Sequence, residues 1–193
     1  MTFVFNGDYF THNIPNFELC KKILGPIEHA IEIGSHEGRS SCWILENMLS
    51  PTGQLFCIDP FNNLPTKTLF EQNISQAATN MQSYNIMTDY SYVALARLIS
   101  QRRQFDFIYI DGAHHNHEVI TDAVMSWKLL KDGGIMIFDD YFPLTDGQIP
   151  PSPKTAIDSF QGLFSKDFEL LFANTQLGVR KRVKEQGDFY ASK

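Results

Sequence analysis

The chain has 193 residues, 43% of them hydrophobic and 13% aromatic, which is enough for one domain to bury a core without disulfides or structural metal ions. A net charge of −6 and the lack of a basic run argue against nucleic acid or a membrane surface as a partner. No apolar run approaches the length of a membrane span, and no basic targeting region opens the chain. We therefore expect a single soluble, cytoplasmic domain over residues 1–193.

The cysteines agree with a reducing compartment. Cys20, Cys42 and Cys57 lack the CxxC spacing of metal-binding and redox motifs. Because Cys42 and Cys57 lie in apolar stretches, we interpret them as buried free thiols.

The first 27 residues form an N-terminal cap segment ahead of the core. Residues 1–15 are rich in aromatic and turn-forming residues, and the apolar positions of residues 16–24 have helical spacing that ends at Gly25 and Pro26. The aromatic part either covers the mouth of a site or caps the core, and capping is the simpler interpretation.

A βαβ unit opens the core, which we place over residues 28–183. Short apolar runs at residues 29–34 and 54–59 predict two buried parallel strands. The helix between them has one apolar face and is expected to end at Pro51 and Gly53. Residues 61–84 then predict a loop and a helix over residues 67–83.

A short third strand is expected over residues 85–88. Asp89, the next residue, is expected to cap the helix that follows.

Residues 105–141 carry the clearest indication of a site. They predict a buried strand, a polar turn, an amphipathic helix, a Gly-Gly stop and a second buried strand. The first strand ends in Asp111 and the second in Asp139 and Asp140. Parallel neighbours bring their carboxyl ends together, at the edge where open α/β sheets bind ligands. Three carboxylates so close would repel one another unless a cation neutralised them, so the pattern indicates a hard divalent ion.

The C-terminal part completes the fold. A loop with Pro143, Pro150, Pro151 and Pro153 leads to a helix over residues 155–164. Strands over residues 169–172 and 177–183 follow, and their short connection predicts an antiparallel hairpin, with a frayed tail over residues 184–193. Five βα units and a hairpin define an α/β class: a Rossmann-like, doubly wound, mostly parallel seven-stranded sheet with a C-terminal antiparallel hairpin.

Two features of the first βαβ unit point to a nucleoside. A turn at Gly34 brings backbone N–H groups close to a ligand, and Asp59, 25 residues on, stands where a carboxylate binds ribose hydroxyls. The dinucleotide motif G-x-G-x-x-G needs a glycine where this chain has His36, so a pyrophosphate is disfavoured. A cofactor with ribose and adenine but no phosphate fits better, and S-adenosylmethionine is the obvious one.

At this point the motifs E-I-G-S-x-E-G-R-S, I-D-P, F-I-Y-I-D-G-x-H and L-L-K-D-G-G-I-M-I-F-D-D-Y carry a resemblance. The chain resembles the class I S-adenosylmethionine-dependent methyltransferases. More narrowly, it is similar to the metal-dependent O-methyltransferases of the catechol type and of the sugar and antibiotic-tailoring type. The resemblance covers roughly residues 28–141, and the C-terminal hairpin matches the reversed seventh strand of that fold.

The resemblance implies roles for particular residues. Mg²⁺ or another divalent cation would be held by Asp111, Asp139 and Asp140, and His114 stands where these families place a catalytic lysine or histidine. The catechol type has Asn at the position of Asp140, whereas the sugar-modifying relatives have a second acid there. This difference favours the similarity to the sugar-modifying type. The implied cofactor-binding residues are Glu32, Gly34, Ser35, His36, Gly38, Ser40, Asp59, Asp89, Tyr90, Ser91 and Asp111.

The implied activity is O-methylation of a small hydroxylated acceptor, a sugar or a phenol-like molecule, by a protein that is a possible homo-oligomer. Three alternatives stay open: a metal-independent N- or O-methyltransferase, a non-catalytic S-adenosylmethionine-binding protein, and a nicotinamide dehydrogenase, which His36 disfavours. Zinc binding by His114, His115 and His117 is disfavoured for two reasons: the i, i+1, i+3 spacing makes two or three ligands from this cluster unlikely, and no cysteine lies nearby in the sequence. The acceptor's walls would come from residues 1–15, 61–84 and 141–153.

Overall fold

The computed structural model describes residues 2–79, 81–142 and 153–183. The strands are β1 (Ile27–Ile33), β2 (Leu49–Ile58), β3 (Ser83–Met87), β4 (Phe105–Ile110), β5 (Leu130–Phe138), β6 (Phe168–Ala173) and β7 (Leu177–Lys181). The α-helices are α1 (Ile14–Leu24), α2 (Arg39–Asn47), α3 (Leu64–Ala77), α4 (Ser91–Ser100), α5 (Asn116–Leu129) and α6 (Lys154–Phe164). A short 3-10 helix, Thr11–Asn13, leads directly into α1.

The seven strands of the described residues form one sheet in the order β3-β2-β1-β4-β5-β7-β6. The first five strands are parallel to one another, and β7 runs antiparallel to both β5 and β6. The chain starts at β1 in the middle of the sheet, moves outward to β3 and then returns to β4, so the order reverses between β1 and β4. This confirms the predicted fold class, including the C-terminal hairpin.

The sheet is covered on both faces, so the last four residues of β1, β2, β4 and β5 are all buried and mostly apolar. Helices α1, α2 and α3 pack on one face and α4, α5 and α6 on the other, each around its own buried cluster. Strand residues alternate between the clusters: Ile135 and Ile137 face the first group of helices, while Met136 and Phe138 face the second. The alternation also decides which way the side chains point where β4 and β5 end.

Several predicted boundaries were wrong by a few residues. Helix α3 is Leu64–Ala77 and not residues 67–83, because the Asn63 side chain accepts a hydrogen bond from the Thr66 N–H and caps the helix earlier. The third strand starts at Ser83 rather than residue 85 and ends at Met87. Helix α1 likewise starts at Ile14, two residues before the predicted start at residue 16, and has a proline in its first turn.

Pro51 and Gly53 lie in a strand and do not terminate a helix. Helix α2 ends at Asn47, and β2 begins at Leu49. In the β1–β2 pair Ile27 is paired with Leu49 and His29 with Gln54, so the register shifts between these pairs and β2 accommodates extra residues there. A proline is tolerated at such an irregularity because no regular ladder hydrogen bond is lost.

The predicted cap of α4 was also wrong. The capping position is Tyr90, with no side-chain hydrogen bond, and Asp89 instead accepts a hydrogen bond from Arg97 at 2.9 Å. Cys42 and Cys57 are buried and free, as predicted. Of the C-terminal predictions, Pro143, Pro150, Pro151 and the tail over residues 184–193 lie outside the described residues. Within the described part of the chain, none of the helices is long and apolar enough to cross a membrane.

Candidate active site

The site is built at the carboxyl edge of the sheet, where β1, β4 and β5 end side by side. Three backbone hydrogen bonds extend the ladder past the strand ends, from Gly34 N to Ile58 O, from Asp111 N to Ile33 O and from Asp139 N to Ile110 O. Gly34 has a φ of 86°, and a Cβ atom there would lie 1.9 Å from the Asp111 carbonyl oxygen. Only a glycine at this position allows the turn after β1 to approach the end of β4 so closely.

A cavity of about 860 Å³ opens at this edge. It lies beside the reversal of strand order, where doubly wound sheets bind ligands. The predicted site residues that line it are Gly34, Ser35, His36, Ser40, Asp59, Tyr90, Ser91, Asp111, His114, Asp139 and Asp140. Three others stand outside the lining: Glu32 lies beneath the turn, Gly38 precedes α2, and Asp89 pairs with Arg97.

Hydrogen bonds connect the turn after β1 to Asp59, the acid that follows β2. The N–H groups of Ser35 and His36 donate to the same Asp59 carboxylate oxygen at 3.1 and 3.0 Å, and Phe61 N donates to the other oxygen at 2.7 Å. His36 lies in this turn with a left-handed backbone conformation, at a φ of 45°. The turn and the carboxylate therefore form one rigid rim of the cavity.

Beneath this rim lies Glu32, a carboxyl group buried in the core. Its side chain is fully buried and accepts a hydrogen bond from the Ser41 hydroxyl. Burial raises the pKa of Glu32 above its ordinary value. Its other carboxylate oxygen and the buried Ser35 hydroxyl have no hydrogen-bond partner among the described residues. Such groups are costly unless a ligand or water satisfies them.

A second group lies across the cavity. One side-chain ligand atom each from Asp111, His114 and Asp140 lies within 4.8 Å of the others, and His114 Nε2 is 2.9 Å from an Asp140 oxygen. Burial, followed by the charges of Asp139 and Asp140, raises the pKa of Asp111 well above its ordinary value. The hydrogen bond with Asp140 raises the pKa of His114. Both raised pKa values favour the uptake of protons, and a bound cation would compete with those protons.

Asp139 points to a different set of partners. The hydroxyl of Tyr109 lies 2.7 Å from Asp139 and 3.0 Å from Asp111, and Asn13 Nδ2 lies 3.2 Å from both Asp139 oxygens. Both Tyr109 and Asn13 are fully buried. Burial is the main reason that the pKa of Asp139 is raised. The structure thus adds Asn13 and Tyr109 to the neighbourhood of the predicted acids.

One of these additional residues had a signal in the sequence. Tyr109 precedes Asp111 by two positions, and strand alternation places both side chains on one face. A tyrosine between two isoleucines of a buried strand needs a hydrogen-bond partner, and the acid two residues further on is a candidate. Asn13 carried no such signal, because it is 126 residues away from Asp139.

Of the three neighbouring histidines, His114 alone belongs to the possible metal group found among the described residues. His115 and His117 are exposed, and their rings stack on each other at a centroid distance of 5.9 Å.

The comparisons with known proteins can now be placed beside this geometry. A family model described as a methyltransferase domain matches residues 31–141, which is more than half of the chain. The chain therefore belongs to this methyltransferase family, and the class I S-adenosylmethionine-dependent methyltransferase fold predicted from the motifs is confirmed. An uncharacterised protein of Acanthamoeba polyphaga mimivirus is 27% identical over 165 residues, which cover 82% of this chain and 74% of that protein.

Solved structures of similar fold include two methyltransferases. An O-methyltransferase from Bacillus cereus, solved in complex with S-adenosylhomocysteine (SAH), is 18% identical, with a TM-score of 0.70 over 91% of this chain and 84% of its own. The methyltransferase MycE of mycinamycin biosynthesis, solved with Mg and SAH, is 19% identical, with a TM-score of 0.61 over 94% of this chain and 52% of its own. At these identities the likeness establishes the fold.

Proposed function

We propose that the protein is an S-adenosylmethionine-dependent O-methyltransferase that acts on a small hydroxylated molecule with the help of a divalent cation. One observation carries the proposal. A single cavity joins the Gly34 turn and Asp59 on one side to the group of Asp111, His114 and Asp140 on the other. A methyl donor and an ionisable acceptor would thus be held side by side, and positioning of this kind removes several kcal/mol of barrier.

The cofactor side fits a nucleoside without phosphate. In the turn, the backbone N–H groups of Ser35 and His36 already donate hydrogen bonds to Asp59. The rim therefore presents a carboxylate to the cavity and lacks the free N–H groups that a pyrophosphate needs. A carboxylate there suits the ribose hydroxyls, and Tyr90 and Ser91 line the same cavity where the adenine is expected. The Bacillus cereus structure, solved with SAH, supports this assignment.

The unsatisfied polar atoms beneath the turn fit the amino-acid end of the same cofactor. Glu32 Oε1 and Ser35 Oγ are buried and lack partners in the described structure. An ammonium or a water molecule held there would satisfy both. Asp89 stays a proposed adenine-side residue because it directly precedes Tyr90 and Ser91, although its carboxylate pairs with Arg97 at 2.9 Å.

The opposite side fits a divalent cation. The carboxylates of Asp111 and Asp140 are ligands that divalent metals accept. Burial first, and the charges of Asp139 and Asp140 second, raise the pKa of Asp111, and a cation would relieve the repulsion between these charges. Asp139, the third ligand implied by the resemblance, already accepts hydrogen bonds from Tyr109 and Asn13. A carboxylate has about four lone-pair sites, so Asp139 retains capacity for a cation. The Mg in the MycE structure supports this choice of ion.

His114 is the proposed general base. Its imidazole is held by Asp140 at 2.9 Å, which leaves the other ring nitrogen to accept a proton from an acceptor hydroxyl. Tyr109 and Asn13 hold Asp139 and so preserve the spacing of the acids. When bound, a divalent cation would supply positive charge that favours the ionised form of the acceptor hydroxyl.

A metal-independent methyltransferase is the second candidate. The hydrogen bond between His114 and Asp140 forms a base and its orienting acid without any cation. Activity that survives an excess of EDTA would favour this candidate over the first.

The proposal is tested by titration calorimetry with S-adenosylmethionine, SAH and NAD, each with Mg²⁺ and with EDTA. We expect micromolar binding of the two sulfur nucleosides and none of NAD. Failure of both sulfur compounds to bind would overturn the proposal, whereas binding would justify an acceptor screen of sugars and phenols with Mg²⁺ present.

Replacement of Asp139 separates a metal role from a structural one. Asp139→Ala is expected to abolish turnover and to leave SAH affinity nearly unchanged, because Asp139 lies on the side of the cavity away from the Gly34 turn. Calorimetry with SAH and an assay with an acceptor found by the screen measure the two quantities. Loss of SAH binding in this variant would mean that Asp139 supports the fold of the cofactor side instead.

A further inference from the structure

The segment of residues 4–10, which precedes the 3-10 helix, runs along the cavity and contributes to its lining. Phe5, Gly7, Tyr9 and Phe10 line the same cavity as the Gly34 turn. The Tyr9 ring meets the His36 ring edge to face at a centroid distance of 6.2 Å, although Tyr9 is 73% exposed. The segment therefore faces the turn that is proposed to hold the cofactor.

Glu37 fastens the middle of this segment. Its two carboxylate oxygens accept from the backbone N–H and the side-chain amide of Asn6, each at 2.7 Å. Glu37 is only 6% exposed and lies in the same turn as His36, within the cavity lining. Two hydrogen bonds at 2.7 Å to one carboxyl group attach Asn6 through both its backbone and its side chain.

Asn73 of α3 fastens the start of the segment. It accepts from Val4 N at 2.9 Å and donates to Val4 O at 2.8 Å, which copies the pairing of a β-bridge. The same amide nitrogen donates to the Glu37 carbonyl at 2.9 Å, and Asn73 is fully buried. Arg39 adds a contact to Gly7 O at 3.3 Å. The segment is thus attached to the turn and to α3 by specific polar contacts.

We propose that Glu37 and Asn73 are positioning residues that hold residues 4–10 as a wall of the cavity, and that this wall slows the release of the adenosyl product. The retention role rests on the proposed function, since it takes SAH as the product. The attachment itself rests on the hydrogen bonds alone.

The test exploits the reciprocal geometry of Asn6 and Glu37. Asn6→Asp places a second carboxylate against Glu37, which should repel it and detach the segment. The double variant Asn6→Asp with Glu37→Gln exchanges donor and acceptor, so the side-chain and backbone hydrogen bonds can both re-form at the wild-type net charge. Asn6→Ala removes the side-chain bond without adding charge and should show a smaller effect.

Two measurements are made on the full chain. The dissociation rate of SAH, followed by displacement, should rise about fivefold in Asn6→Asp and return to within about twofold of the wild-type rate in the double variant. Hydrogen exchange of the amides of residues 4–10 should speed up in the single variant and slow again in the double. Glu18→Gln on the outer face of α1 serves as the control and should change neither quantity.

The outcomes separate the two proposals. Faster exchange with an unchanged dissociation rate would overturn the retention role, and unchanged exchange in Asn6→Asp would overturn the positioning role. Failure of wild-type protein to bind SAH would overturn the proposed function and retention with it, whereas the exchange data would still decide whether Glu37 positions the segment.

Discussion

Gly34 shows how tightly single residues are constrained where β1 meets β4. Its backbone conformation is left-handed, and the nearest neighbour of an added Cβ would be a main-chain oxygen of Asp111, which cannot rotate away as a side chain could. The same residue begins the turn that carries Ser35 and His36 to Asp59. A disturbance at Gly34 would therefore reach both sides of the cavity.

Gly34→Ala is expected to lower the free energy of unfolding by about 2–4 kcal/mol and to abolish SAH binding, since β4 must shift to admit the new atom. Denaturant unfolding and calorimetry measure these effects. The matched control is Gly162→Ala in α6, where an added Cβ meets nothing within 4 Å. That change should raise stability by about 0.5–1 kcal/mol, because alanine is the better helix former. Equal effects of the two variants would contradict the prediction.

His114→Ala distinguishes a base from a metal ligand. If His114 is the base, turnover should fall by about 10²–10⁴-fold while Mg²⁺ affinity remains close to the wild-type value. The pH profile should also change. The pKa of His114 is raised by Asp140, so wild-type activity should climb with pH through that raised pKa, and the variant should lose this limb. A large loss of Mg²⁺ affinity in calorimetry would instead make His114 a ligand.

The acids of the site could be predicted from the sequence, and several of their partners could not. Asp111, Asp139 and Asp140 were predictable because parallel strands bring their ends together whatever the rest of the chain does. The contacts of Asn13 with Asp139 and of Asn6 with Glu37 depend on how the N-terminal segment crosses the sheet edge. Local patterns carry no information about such a crossing, so the segment was expected mainly to cap the core.

At the scale of elements, the contact between α4 and α5 contains a buried acid that does not line the cavity. Asp122 of α5 is only 2% exposed, and one of its oxygens lacks a partner among the described residues. Burial raises the pKa of Asp122 from 3.8 to about 6, although a hydrogen bond with Ser91 at the start of α4 opposes the shift. The folded protein therefore binds a proton here more tightly than the unfolded chain does.

The sign of the pH effect follows from this raised pKa. Between about pH 4 and pH 6 the folded state holds a proton that the unfolded state has lost, so stability falls as the pH rises through that window, by up to about 3 kcal/mol. Asp122→Asn removes the titration and should be more stable than wild type at pH 7.5, with the difference shrinking toward pH 4. Denaturant unfolding at several pH values measures it, and a difference that does not vary with pH would refute the prediction.

Element types were more predictable than element ends. The five βα units and the hairpin follow from apolar runs and helical spacing, which are properties of the segments themselves. The start of α3 depends on the Asn63 cap, and the start of β2 depends on a register shift against β1. In both cases the boundary is decided by a contact outside the repeating pattern, and Pro51 and Gly53 were misleading because the irregular pairing tolerates them.

The whole molecule couples ligand binding to stability. A ligand that binds only the folded state adds about 2.7 kcal/mol at one hundred times its dissociation constant. For a chain of 193 residues, SAH at that excess should raise the melting temperature by about 5–10 °C. A thermal shift assay with SAH and with adenosine monophosphate as the comparison measures this. An equal shift with the nucleotide would contradict the assignment of a phosphate-free pocket.

The left-handed backbone at Asp140 limits how this protein can change over time. Its φ of 55° is a conformation that Asn, Asp and Gly adopt far more readily than other residues. A longer acid such as Glu offers the same charge but would strain the chain at this position. Variation that preserves an oxygen donor is thus confined to Asp and Asn, whose exchange alters the charge of the site by one while leaving the main chain in place. In the proposed cation site, such an exchange would change the charge that the cation meets by a single substitution, in evolution or in protein engineering.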